Sequence, residues 1–95
     1  MHLDTDSALD IINAHLKQFR GAILLITEGD LSDTVVSNYV TSRRFFFREA
    51  NGFATLADDV GLSVPAVREE LRAQEFMALT AAGLDDIRFA SLVNA

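Results

Sequence analysis

Cysteine is absent from the chain, so it holds no disulfide framework, no thiolate zinc site and no cysteine nucleophile. A chain without such staples suits a reducing compartment, and a cytoplasmic location is the expectation. Basic residues are scarce: 8 Lys and Arg stand against 14 Asp and Glu, a formal net charge of −6. That balance excludes a basic coat for nucleic acid, because polyphosphates are repelled over the surface as a whole. Long hydrophobic runs are missing too. The longest, GAILLIT at residues 21–27, is far below the roughly 18 to 20 residues that cross a bilayer, so no membrane partner is expected. The opening MHLDTDSALD carries three aspartates and no Lys or Arg, the reverse of the positive start of a secretory signal. What is present is ordinary for a folding chain: 95 residues, 49% hydrophobic and 23% charged, enough for one domain spanning 1–95 and too apolar for disorder.

Hydrophobic spacing predicts an all-α fold of five helices, near residues 6–27, 33–50, 55–60, 64–82 and 85–93. Leu9, Ile12, Leu16, Phe19, Ile23 and Ile26 recur at steps of three and four, the stripe of an amphipathic helix. Asp4, Thr5 and Asp6 can cap its free amides and favour the positive end of its dipole. In the second segment Ser32 is the expected cap, Val35, Val36, Tyr39, Val40, Phe46 and Phe47 keep helical spacing, and Asn51-Gly52 is the expected stop. A strand at 22–26 or 39–47 is the alternative, since β-branched and aromatic residues are dense in both. Thr55 and Ser63 are the expected caps of the third and fourth helices, Pro65 is tolerated in a first turn, and Gly83 ends the fourth.

One segment carries a motif: Leu56-Ala57-Asp58-Asp59-Val60-Gly61-Leu62-Ser63-Val64-Pro65-Ala66-Val67-Arg68-Glu69-Glu70-Leu71. Ala57 is small where two helices would pack closest, Gly61 makes the tight turn, Leu62 plugs it, Ser63 caps the next helix, and Val67 and Leu71 hold that helix to the core. The segment resembles the helix-turn-helix of bacterial transcription regulators. The resemblance implies that residues 64–72 enter a major groove, with Val64, Pro65, Arg68 and Arg72 nearest bases or phosphates. Glu69 and Glu70 beside those arginines depart from such a surface, and no β-hairpin follows, because residues 73–82 are rich in helix formers. A domain of this kind would be wingless. The same residues also describe a helical hairpin with a well-made turn and no DNA contact.

Arg43, Arg44 and Arg48, interleaved with Phe45, Phe46 and Phe47, form the only basic cluster, which suits phosphate or a stacked base. Arginines near a helix C-terminus also complement its dipole and cover apolar surface, which is the structural alternative. Three consecutive phenylalanines sweep about 200° around a helix, so they cannot all face one core stripe. The surplus ring points to a homodimer interface including part of Phe45, Phe46 and Phe47, or the apolar stripe of the first helix.

His2 and His15 have no partner at metal-ligand spacing, and the acidic pairs at 58–59, 69–70 and 85–86 diverge by about 100° on a helix. No phosphate-binding glycine loop and no nucleophile-base pattern appears, so neither metal, cofactor nor enzymatic activity is expected. Two functions follow: a small dimeric regulator that binds duplex DNA through residues 64–72 assisted by Arg43, Arg44 and Arg48, and an acidic helical interaction module, an adaptor or inhibitor, that meets a basic protein without touching nucleic acid. An assembly component, suggested by the apolar excess alone, is a third.

Overall fold

The computed structural model describes residues 4–94. Among them five α-helices and one 3-10 turn account for all regular structure, and no strand occurs. α1 spans Thr5–Thr27 and is capped by Asp4, whose carboxylate accepts the Ser7 amide at 2.8 Å. That hydrogen bond holds the Asp4 carboxyl below its usual range. Ala8, Ile12, Phe19, Ala22, Ile23 and Ile26 are buried on one face. The strand alternative at 22–26 fails because Leu24 and Leu25 point outward while Ala22, Ile23 and Ile26 continue the helical stripe inward. The chain reverses at Gly29, φ +91°, and the Asp30 amide returns to the Leu25 carbonyl at 2.9 Å.

α2 spans Asp33–Phe47 and packs chiefly against α1. Ser32 occupies the position before it, but its hydroxyl makes no capping bond; its amide instead donates to Asp30 at 3.0 Å. α2 also ends earlier than spacing predicts. Arg48 is extended (φ −107°, ψ 125°), a 3-10 turn follows at Glu49–Asn51, and Gly52 takes φ +80°. The cause is capping by side chains from outside the helix: Asn51 Nδ2 donates to the Arg44 carbonyl and Arg68 Nε to the Phe46 carbonyl.

α3 spans Phe53–Val60, starting from Gly52 rather than from a Thr55 cap, because Phe53 is drawn fully into the core. α4 spans Val64–Ala81 with Pro65 in its first turn, and α5 spans Asp86–Val93, capped by Asp85, which accepts the Arg88 amide at 2.9 Å. Gly83 (φ +70°) closes the end of α4. α1 is the central element, with α2, α3 and α4 packed around it. At the centre lies an aromatic cluster: Phe46 meets Phe53 at 5.1 Å and Phe19 at 6.2 Å, both edge to face, and Phe45 meets Phe46 at 5.0 Å. Such pairs add about 0.5 to 1.5 kcal/mol each beyond the area they bury. The phenylalanine run is therefore used inside the subunit. Phe45 and Phe46 are buried, so two of the three rings expected at a dimer contact lie in the subunit's own core, while Phe47 is half-buried beneath two guanidinium groups. Among the described residues no helix is long and apolar enough to cross a membrane.

Candidate functional site

The helical hairpin at α3 and α4 is built by its turn. Gly61 takes φ +71°, a conformation that costs other residues a clash with the following carbonyl. The Leu62 amide donates to the Ala57 carbonyl at 2.9 Å, and Ser63 Oγ accepts the Ala66 amide at 3.4 Å. Ala57 and Leu71 are fully buried, and Val67 packs on the core. Leu62 is not the expected plug: it is 37% exposed.

The arginines converge, but on protein rather than toward solvent. Arg43 of α2 and Arg72 of α4 both stand on the Phe47 ring, at 5.1 and 5.0 Å from its centroid. Arg43 also faces the Phe89 ring at 5.4 Å, and its Nε donates to Glu75 Oε1 at 2.6 Å. The same oxygen accepts the Tyr39 hydroxyl at 2.5 Å. Burial, followed by the Glu75 carboxylate, pushes the Tyr39 phenol far above its usual range. Arg68 is half-buried over the Phe53 ring at 5.9 Å, its Nε donates to the Phe46 carbonyl at 2.6 Å, and its Nη2 is buried without a hydrogen-bond partner. Of the two arginines that the resemblance brings nearest a groove, Arg68 is half-buried and caps α2, while Arg72 is exposed. Val64 is half-buried against the core and Pro65 is exposed.

The outward side of α4 over its first turns is a shallow cleft of about 460 Å³ lined by Pro65, Arg68, Glu69 and Arg72. Glu69 thus lines the same cleft as the two arginines. Glu70, one step further round, is exposed and pairs with Arg20 of α1 at 3.0 Å. Arg44 faces a different cleft, shared with His15, Thr41, Phe45 and Asn51. Arg48 is exposed at the break after α2. In that second cleft His15 stacks on Phe45 at 3.8 Å with 13° between planes. Its Nδ1 is buried without a hydrogen-bond partner, and burial lowers its pKa below the ordinary 6.5. Among the described residues no group of three or more His, Asp and Glu side chains converges to hold a metal ion.

Glu75 is the residue that pattern reading did not single out. Its signal was present: a carboxylate in the buried stripe Leu71, Glu75, Ala78 and Leu79 needs partners, and Tyr39 and Arg43 stand at i and i+4 on one face of α2. Comparison with known proteins finds no matching family model, no matching curated protein and no matching solved structure. The functional reading rests on the chain's own geometry.

Proposed function

We propose that the protein is an acidic helical interaction module that meets a basic partner protein through the outward side of α4, where Glu69 and Glu70 are exposed. One observation carries this reading: Arg68, at the centre of the surface a DNA reader would present, is turned inward onto the Phe46 carbonyl and leaves Glu69 in the cleft. Swinging Arg68 out to a phosphate leaves that carbonyl unpaired, which costs about 1 to 3 kcal/mol. Each 1.4 kcal/mol is about tenfold in affinity. With a net charge of −6 over the chain, there is no general attraction to offset the loss. A basic protein surface, in contrast, is steered toward such a face and gains from Glu69 without any rearrangement of Arg68.

A second reading, DNA binding, is favoured by one observation, the tight turn at Gly61 with its Ser63 cap, and would rely on Pro65, Arg72 and the exposed Arg44 and Arg48. Affinity capture from nuclease-treated extract of the source cells separates the two. The module reading expects a protein that is retained by the wild-type chain and by Arg72→Ala, released by salt, and lost with the double variant Glu69→Lys, Glu70→Lys. Retention seen only when the nuclease is omitted, or that depends on Arg72, contradicts it.

A further inference from the structure

Four asparagines occur in the chain, Asn13, Asn38, Asn51 and Asn94, and Asn51 alone is followed by glycine. Asparagine is chemically labile, and the residue after it decides how readily it reacts, because the backbone nitrogen of that residue is the attacking atom. Glycine leaves this nitrogen unhindered and the chain free to swing toward it. The structure adds to the sequence signal. Asn13 and Asn38 lie inside α1 and α2, where the amides that follow them are held in regular helix. Asn51 is exposed and ends the 3-10 turn Glu49–Asn51, whose hydrogen bonds are poorer than those of an α-helix. Space is open at Gly52: a Cβ there would meet nothing within 4 Å, so a ring that forms at this point displaces no other part of the fold.

We infer that Asn51 is a site of spontaneous deamidation in the folded protein, and that its conversion loosens the junction between α2 and α3. The Gly52 nitrogen, giving up its proton, bonds to the Asn51 side-chain carbonyl carbon, and the bond from that carbon to Nδ2 breaks, releasing ammonia and leaving a cyclic imide. Water then opens the imide at one carbonyl or the other, giving aspartate or isoaspartate. Nothing is oxidised or reduced, and water is the one co-reactant. Asn51 Nδ2 donates to the Arg44 carbonyl, which also accepts the Arg48 amide at 3.0 Å. The carboxamide must leave that carbonyl before it is attacked, and at an exposed site water replaces the lost bond. Conversion makes the loss permanent. Both products lack the donating N–H, and aspartate sets a carboxylate against the carbonyl, acceptor against acceptor, at the negative end of the α2 dipole. Isoaspartate also routes the main chain through the former side chain, lengthening it by one carbon directly before Gly52. Because Gly52 holds φ +80° and Phe53 is fully buried in the aromatic cluster, the added carbon strains the entry to α3. The inference is independent of the partner proposed for Glu69 and Glu70.

Incubation of the full chain at mildly alkaline pH, followed by trypsin and mass spectrometry, is the test. Cleavage after Arg48 and Arg68 isolates residues 49–68, which contain no asparagine besides Asn51. That peptide is expected to gain about 1 Da and to separate into aspartate and isoaspartate forms before the peptides carrying Asn13 and Asn38 change. In heavy-oxygen water the gain is larger, since the new oxygen comes from solvent. Asn51→Gln, whose longer side chain would have to close a larger ring, is expected to stay unchanged over the same time. The isoaspartate form of the whole chain, isolated by anion exchange, is expected to unfold at a lower urea concentration than the fresh chain. An Asn51 that stays intact in the native chain while the urea-unfolded chain converts overturns the inference, because the fold then protects it. So does earlier conversion at Asn13 or Asn38. An isoaspartate form with the urea midpoint of the fresh chain overturns the loosening of the junction.

Discussion

Glu75 holds two helices together through one oxygen. Its side chain is 8% exposed, and Oε1 accepts from both the Tyr39 hydroxyl and Arg43 Nε. Removing a buried acceptor leaves its donors without partners, and the loss exceeds the net worth of the bonds themselves. Because Arg43 keeps 28% exposure and can recover water, Glu75→Ala should destabilise by about 2 to 3 kcal/mol rather than the 3 to 5 of a wholly buried pair. Tyr39→Phe, which removes one donor and leaves the ion pair, should cost about 1 kcal/mol. Urea denaturation checks both; a Glu75→Ala midpoint equal to wild type contradicts the network. His15 is the other residue with a directional consequence. Burial against Phe45 lowers its folded pKa beneath the 6.5 of the unfolded chain, so the unfolded state takes up the proton first. The contribution of His15 is complete above pH 6.5 and is lost as pH falls from there through the folded value. Stability of wild type should therefore drop from pH 7.5 to 5.5 more than that of His15→Gln, and equal pH dependence would show that the ring titrates as it does in the unfolded chain.

Helices were legible in the sequence wherever burial is one-sided. The stripe of α1 and the caps at Asp4 and Ser63 are local, and the structure has them as spacing and side-chain chemistry predict. The end of α2 was not legible, because Arg68, twenty-two residues past Phe46, supplies one of the caps that end it. The start of α3 was missed for a similar reason, since packing of Phe53 outweighs the capping preference of Thr55. Two glycines separate turn from helix experimentally. A side chain at either would meet nothing within 4 Å, so backbone conformation alone decides the outcome. Gly61→Val forces a β-branched residue into φ +71° and should cost about 1 to 2 kcal/mol. Gly21, in ordinary helix within α1, gains from a less flexible unfolded chain, so Gly21→Ala should stabilise by about 0.5 to 1 kcal/mol. Thermal midpoints that move in the same direction for both would contradict this division.

At the scale of the molecule, sequence spacing locates the arginines of α4 but does not say where each guanidinium goes. Arg68 and Arg72, four apart, do lie on one side of α4, but a long side chain can fold back over that side. Whether it does depends on an unpaired carbonyl and an aromatic ring contributed by α2 and α3, which spacing does not encode. The consequence is that Arg43 and Arg68 serve the interior, while Arg20, Arg44, Arg48, Arg72 and Arg88 are exposed. Two of the five arginines that the sequence pattern offers to DNA, Arg43 and Arg68, make short bonds to Glu75 and the Phe46 carbonyl. The most direct test is a fluorescence anisotropy titration of a labelled random-sequence duplex at low salt, where even a few phosphate contacts register. No saturable binding is predicted up to about 50 μM protein, well within the range of non-specific binders. Saturable binding that weakens with salt at a slope of about −2 or steeper, and that Arg72→Ala makes shallower, would contradict the interaction-module account and restore DNA as the ligand.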